Sequence, residues 1–228
     1  MAQETIKKSN KKGLHPKEEP GNGTLWKQHG MEDVYFQRDA QITFWTVLGG
    51  IAVAALLTQI TNLIDGIQMG RWYLLLYFLT SIMLITNSWV TNLWGSLVLR
   101  MQVNILYALI QLMNLVCLAI LCLQVTNPLT FFVAGGFFVL FGLFMDAYLM
   151  KSGAWVGFTP EKIKGIKFNS RVYLAFVVLC FGAAANLFWY PSVAADVGWG
   201  VLTLFASIAA MVMQHFTMKQ ERKELGIP

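Results

Sequence analysis

Asn87, Gln111 and Asn114 are the residues from which chemistry in this chain has to be argued, because each amide lies well inside a long apolar run. A polar side chain at membrane depth is costly unless it is hydrogen-bonded, so it marks either a contact between helices or a site. Asn104, Tyr107, Gln111 and Asn114 follow one another at three- and four-residue spacings, which puts them in one stripe on a helix. The preceding run travels the opposite way and brings Asn87 to the same middle depth. The three amides are therefore expected to meet near the midplane, either bonding packed helices together or lining a solute pocket.

A second polar arc lies in the first apolar run, where Thr58, Thr61, Asn62 and Asp65 fall within about 100° of helix. Thr58, Asn62 and Asp65 join the three amides as candidate substrate-binding groups. Two ionisable residues stand nearer the other face: Asp146, about one turn before Lys151, and His215. If their helices are neighbours, carboxylate and imidazole are expected to pair.

Other chemistry lacks its residues. Of His15, His29 and His215 only the last is near an apolar run, so a two-His haem site is not formed, and no run contains the Lys that a retinal Schiff base needs. Zinc-protease spacing, a Gly-rich phosphate loop and a pair of intramembrane aspartates are also missing. Cys117 and Cys122, five residues apart, occupy different helix faces, and with Cys180 they read as small hydrophobes rather than metal or redox ligands. No metal, no cofactor and no catalytic residue is expected, and the chain is not expected to be an enzyme.

The elements that must position these groups are six apolar runs, 42–64, 72–99, 103–123, 128–150, 172–190 and 197–217, each long enough to cross about 30 Å of hydrocarbon as a helix. Their apolar character is continuous rather than alternating, which excludes barrel strands. The expected fold class is an all-α integral membrane protein, a bundle of six transmembrane helices. Of the 17 Lys and Arg only Arg71 falls on one side of such a bundle, so the positive-inside rule places both termini in the cytoplasm. The first run should act as an uncleaved signal anchor, which leaves the sequon Asn22-Gly23-Thr24 on the cytoplasmic side.

Residues 1–41 form a tail, largely disordered by composition, with aromatics near 26–36 suited to the headgroup level; 218–228 form a second tail. The longest internal joint, 151–171, carries Thr159-Pro160-Glu161, the pattern of a helix cap and first turn. Beyond it Lys162, Lys164 and Lys167 alternate with apolar residues, as an interfacial helix on anionic lipid headgroups requires; the other reading is that these bases only set topology.

The run Thr58-Gln59-Ile60-Thr61, with Trp89-Val90-Thr91-Asn92 and Arg100, resembles the first helices of the low-temperature-requirement membrane proteins over about a quarter of the chain. It lacks the acidic residue those proteins carry early in the first helix, and no residue role or activity follows from the resemblance. The sequence thus points to a multi-pass protein of the cytoplasmic or plasma membrane, with lipids and a membrane-protein partner or second copy as its partners and no nucleic acid. Two functions fit: binding or transport of a small uncharged or weakly charged solute, or a non-catalytic accessory role in a larger membrane complex.

Overall fold

The computed structural model of the protein describes residues 31–97, 105–152 and 160–224. Within them the chain is helical apart from short turns: α1 (Met31–Leu57), α2 (Ile60–Gln68), α3 (Leu74–Leu97), α4 (Ile105–Leu123), α5 (Pro128–Ser152), α6 (Pro160–Trp189) and α7 (Val193–Glu224). Six helical stretches are long and apolar enough to cross a membrane: Gln41–Gln68, Leu74–Trp94, Leu106–Leu123, Pro128–Tyr148, Ser170–Trp189 and Val193–Gln220. The chain is an all-α, multi-pass membrane protein. Helices are the form in which an apolar segment of this length satisfies its own backbone within lipid.

Two expected elements differ in detail. The first span is not one helix but α1 and α2, joined by a turn at Thr58 and Gln59. The Gln59 N–H bonds back only three residues, to the Leu56 carbonyl at 3.0 Å, and the Thr58 hydroxyl donates to the Ala55 carbonyl at 2.7 Å. Such side-chain back-bonding competes with the backbone N–H of Gln59 for the Ala55 carbonyl and favours a bend here. The short helix expected after Thr159 is not separate either: α6 starts at Pro160 and runs unbroken through span five. Its 30 residues span roughly 45 Å at 1.5 Å each, more than the hydrocarbon needs, so its first turns stand clear of the span. Thr159 and the 153–159 connection lie outside the described residues.

At the α2–α3 junction, Gly70 takes a φ of +83°, while its N–H bonds to the Ile67 carbonyl and that of Arg71 to the Gly66 carbonyl, both at 2.9 Å. This is a Schellman C-cap, which wants a residue without a Cβ.

The helices form a ring in the order α6, α5, α4, α1, α3, α7. Neighbours along this series pack along much of their length, whereas the closing contact between α6 and α7 is slight, as are those of α3 with α4 and α5. One end of the ring carries the connections 69–73, 124–127 and 190–192 and is called here the hairpin end; the other carries the start of α1 and the end of α7 and is called the terminal end.

The two ends are packed differently. Near the hairpin end, Tyr77 stacks edge-on against Phe131 and Phe132, with centroids at 5.0 and 5.8 Å, and Phe132 meets Trp199 at 6.1 Å. Leu74, Leu118, Leu121, Cys122, Ala183 and Ala184 complete a buried cluster around them. Gly136 lets α5 and α6 close up, since a Cβ there would stand 2.8 Å from the Phe181 ring. Towards the terminal end this core continues on α1 and α3 through Trp45 and Ile85 but thins on α5, α6 and α7. Among the described residues, none is buried on α5 after Gly136, on α6 before Cys180 or on α7 after Ser207.

Candidate functional site

One group of polar side chains in the terminal half lies where α4, α5 and α6 meet. Asn114 is buried on α4 and its amide donates to the Phe138 carbonyl of α5 at 2.6 Å. Gly142 lies beside this bond: a Cβ there would stand 3.9 Å from Asn114 Nδ2. One turn towards the terminal end, Gln111 is 3% exposed, and among the described residues its Nε2 makes no hydrogen bond of ordinary geometry, the Tyr107 hydroxyl being a polar group that it faces. An orphaned buried donor is a cost of about 1–3 kcal/mol that ordinary packing would remove by substitution. The Tyr107 hydroxyl, a further turn along, lies within reach of the Gln111 side chain.

Asp146 of α5 stands at the level of Tyr107 and interacts electrostatically with Tyr107 and with Tyr173 of α6. Tyr148 adds a second ring beside Tyr107, centroid to centroid 6.3 Å. Asp146 is half-buried, and among the described residues no hydrogen bond or ion pair reaches its carboxylate. The arrangement thus joins an unused donor, an uncompensated carboxylate and three phenols. An acceptor would satisfy the amide, and a donor or positive charge the acid.

Of the sequence-derived candidates, Gln111 and Asn114 belong to this cluster. Asn87 does not: no hydrogen bond joins its amide to theirs, because α1 packs on both α3 and α4 and keeps these two largely apart. The midplane meeting of three amides is therefore not formed. Asp146 and His215 are also not brought together. His215 is exposed on α7 with its ring against Phe216, and α5 meets α7 at the hairpin end through Phe132 and Trp199.

Thr58, Asn62 and Asp65 lie exposed around the α1–α2 turn, where Asn62 donates to Gln59 at 3.1 Å and Thr58 to its own helix. They do not join the cluster. Lys162, Lys164 and Lys167 lie on the first turns of α6, and their side chains are outside the described residues. Tyr148 and Tyr173 are the members that sequence reasoning missed. The one signal for them was an acid, Asp146, within a span whose neighbours had to compensate it.

Other interhelical bonds have a structural role. The Tyr77 hydroxyl donates to the Asp196 carbonyl at 2.7 Å, Trp199 Nε1 to Asn186 Oδ1 at 3.0 Å, and Gln214 Nε2 to the Thr91 hydroxyl. Each ties two helices, at about 0.6 kcal/mol on average and up to about 1.7. Comparison of the chain with protein-family models, curated proteins and solved structures finds no match in any of the three.

Proposed function

We propose that this multi-pass membrane protein binds, and by opening and closing moves, a small solute held between α4, α5 and α6 in the terminal half of the ring. The observation that carries this reading is the Gln111 amide: buried, its donor without a bond of ordinary geometry among the described residues, one turn from an Asp146 that none of those residues pairs with, in the half where α5, α6 and α7 lack a packed core. Sparse packing there leaves freedom for α6 to move, while the hairpin end holds as a fixed hinge. With the positive-inside orientation, the terminal end and its solute entrance face the cytoplasm.

The test is a thermal-shift screen of the full-length purified protein against neutral, cationic and anionic small solutes, in the native form and as Gln111→Leu. A solute that raises the melting temperature only of the native form supports the reading. A screen with no shift, or shifts that Gln111→Leu leaves intact, contradicts it. Orientation is tested by cysteines at Ser9, Ser170 and Gln220, expected to resist an impermeant thiol reagent in intact cells, against Gln68 and Ser192, expected to react.

A second reading, that of an accessory subunit, has its own observation. Thr58, Asn62 and Asp65 form an exposed polar face on a membrane-spanning stretch, and a polar face turned to lipid is better covered by a partner helix. Co-purification of a membrane protein that is lost on Asn62→Leu would favour it.

A further inference from the structure

The chemistry of the cluster goes beyond the existence of a site to the class of its occupant. We infer that the occupant is a small organic ammonium that also carries an oxygen acceptor, with Asp146 as its counter-charge, Tyr107, Tyr148 and Tyr173 as its walls and the Gln111 Nε2 as donor to its oxygen. The inference rests on the solute-binding reading and narrows it, replacing the uncharged or weakly charged solute expected from sequence by a cation.

Three observations lead to it. Asp146 is a half-buried carboxylate within a span, and among the described residues no ion pair or hydrogen bond joins it. A carboxylate so placed is costly unless a positive charge joins it. The side chains with which it interacts electrostatically are the phenols Tyr107 and Tyr173, and an ammonium is attracted to the faces of such rings, the more so when desolvated. The remaining unsatisfied group, Gln111 Nε2, is a donor. A bare metal ion would leave it unsatisfied, whereas an amino alcohol or an amino carbonyl compound offers both a positive end and an acceptor. Along the helices, Gln111 lies one turn from Tyr107 and therefore roughly 6 Å deeper than Asp146, so the cationic end sits nearer the membrane surface and the oxygen below it. Free ammonium solutes and the headgroups of amine-bearing lipids share this chemistry.

Choline and 3,3-dimethylbutan-1-ol, its neutral isostere, are the probes. The full-length protein in phosphatidylglycerol nanodiscs should be stabilised by choline and not by the isostere. Asp146→Asn should weaken choline binding by at least about tenfold. Tyr173→Phe should retain binding and Tyr173→Leu should weaken it, a pair that keeps the test open if the Asp146 variant does not fold. If phosphatidylcholine in the nanodisc abolishes the choline response, the source is a lipid headgroup; if the response persists, it is a free solute. Equal stabilisation by the isostere, or Asp146→Asn and Tyr173→Leu proteins that bind as before, overturns the inference. A response to neutral solutes alone leaves solute binding standing without its cation, while silence towards the whole solute screen removes both.

Discussion

The hairpin half and the terminal half of this ring are built from the same six spans, yet they use them differently. Around Tyr77, Phe131, Phe132 and Trp199 the interior is aromatic and apolar, and its few polar groups, such as the Tyr77 hydroxyl, are bonded across helices. Around Tyr107, Gln111 and Asp146 it is amide, phenol and carboxylate, and among the described residues one donor lacks a bond of ordinary geometry and one acid lacks a partner. Within lipid, association depends on packing and on polar bonds rather than on hydrophobic exclusion. The hairpin half is accounted for by its packing and bonds, whereas the α4–α6 side of the terminal half is less completely packed, and there the proposed site lies.

The strongest way to break the comparison is to truncate an aromatic in each half of α5. Phe132→Ala should lower unfolding free energy by about 3–5 kcal/mol, because a fully buried ring leaves a cavity. Phe144→Ala, exposed in the terminal half, should cost less than about 0.5 kcal/mol. Unfolding of both variants in mixed micelles compares them directly, and equal losses would erase the distinction. The helix contacts sharpen it next. Gly136→Ala forces Phe181 to give way and should cost about 1–3 kcal/mol. Gly182→Ala has open space around it and should be neutral or stabilising by about 0.4–1 kcal/mol.

Smaller effects separate a bonded polar group from an unbonded one. Tyr77→Phe removes the bond to the Asp196 carbonyl and should lower stability by about 1 kcal/mol in the same assay. Gln111→Leu removes an unpartnered donor, so stability should be unchanged or rise by up to about 1 kcal/mol while any solute response is lost. A Gln111→Leu protein that is clearly destabilised would assign the amide to packing.

The spans were legible because twenty continuous apolar residues have one solution in a bilayer, and Pro128 and Pro160 mark helix starts wherever proline's fixed φ suits a first turn. Depth was legible too: Gln111 and Asn114 do share one buried stripe on α4. Neighbourhood was not. Nothing in the spacing of Asn87 says that α1 packs on both α3 and α4, and nothing near His215 says that α7 pairs with α3 rather than α5. Hydropathy specifies how far along a helix a residue lies, while ring order depends on which small and large side chains interlock, as Gly136 does with Phe181. The break after Leu57 was equally hidden, since Thr58 is an acceptable helical residue until its hydroxyl takes the Ala55 carbonyl.

The division of the ring is tested most directly by two single cysteines on α6, Tyr173→Cys and Ala183→Cys, in a protein lacking Cys117, Cys122 and Cys180. Ten residues along one helix separate them by roughly 15 Å, so backbone and environment are otherwise shared. Labelling of the purified protein with a charged, water-soluble thiol reagent reports water at each position rather than lipid or detergent. If the terminal half admits water and solute, Tyr173→Cys should react at least about tenfold faster than Ala183→Cys, which lies in the fully buried core. Equal rates, or faster reaction at Ala183→Cys, would contradict the division on which the proposed site depends.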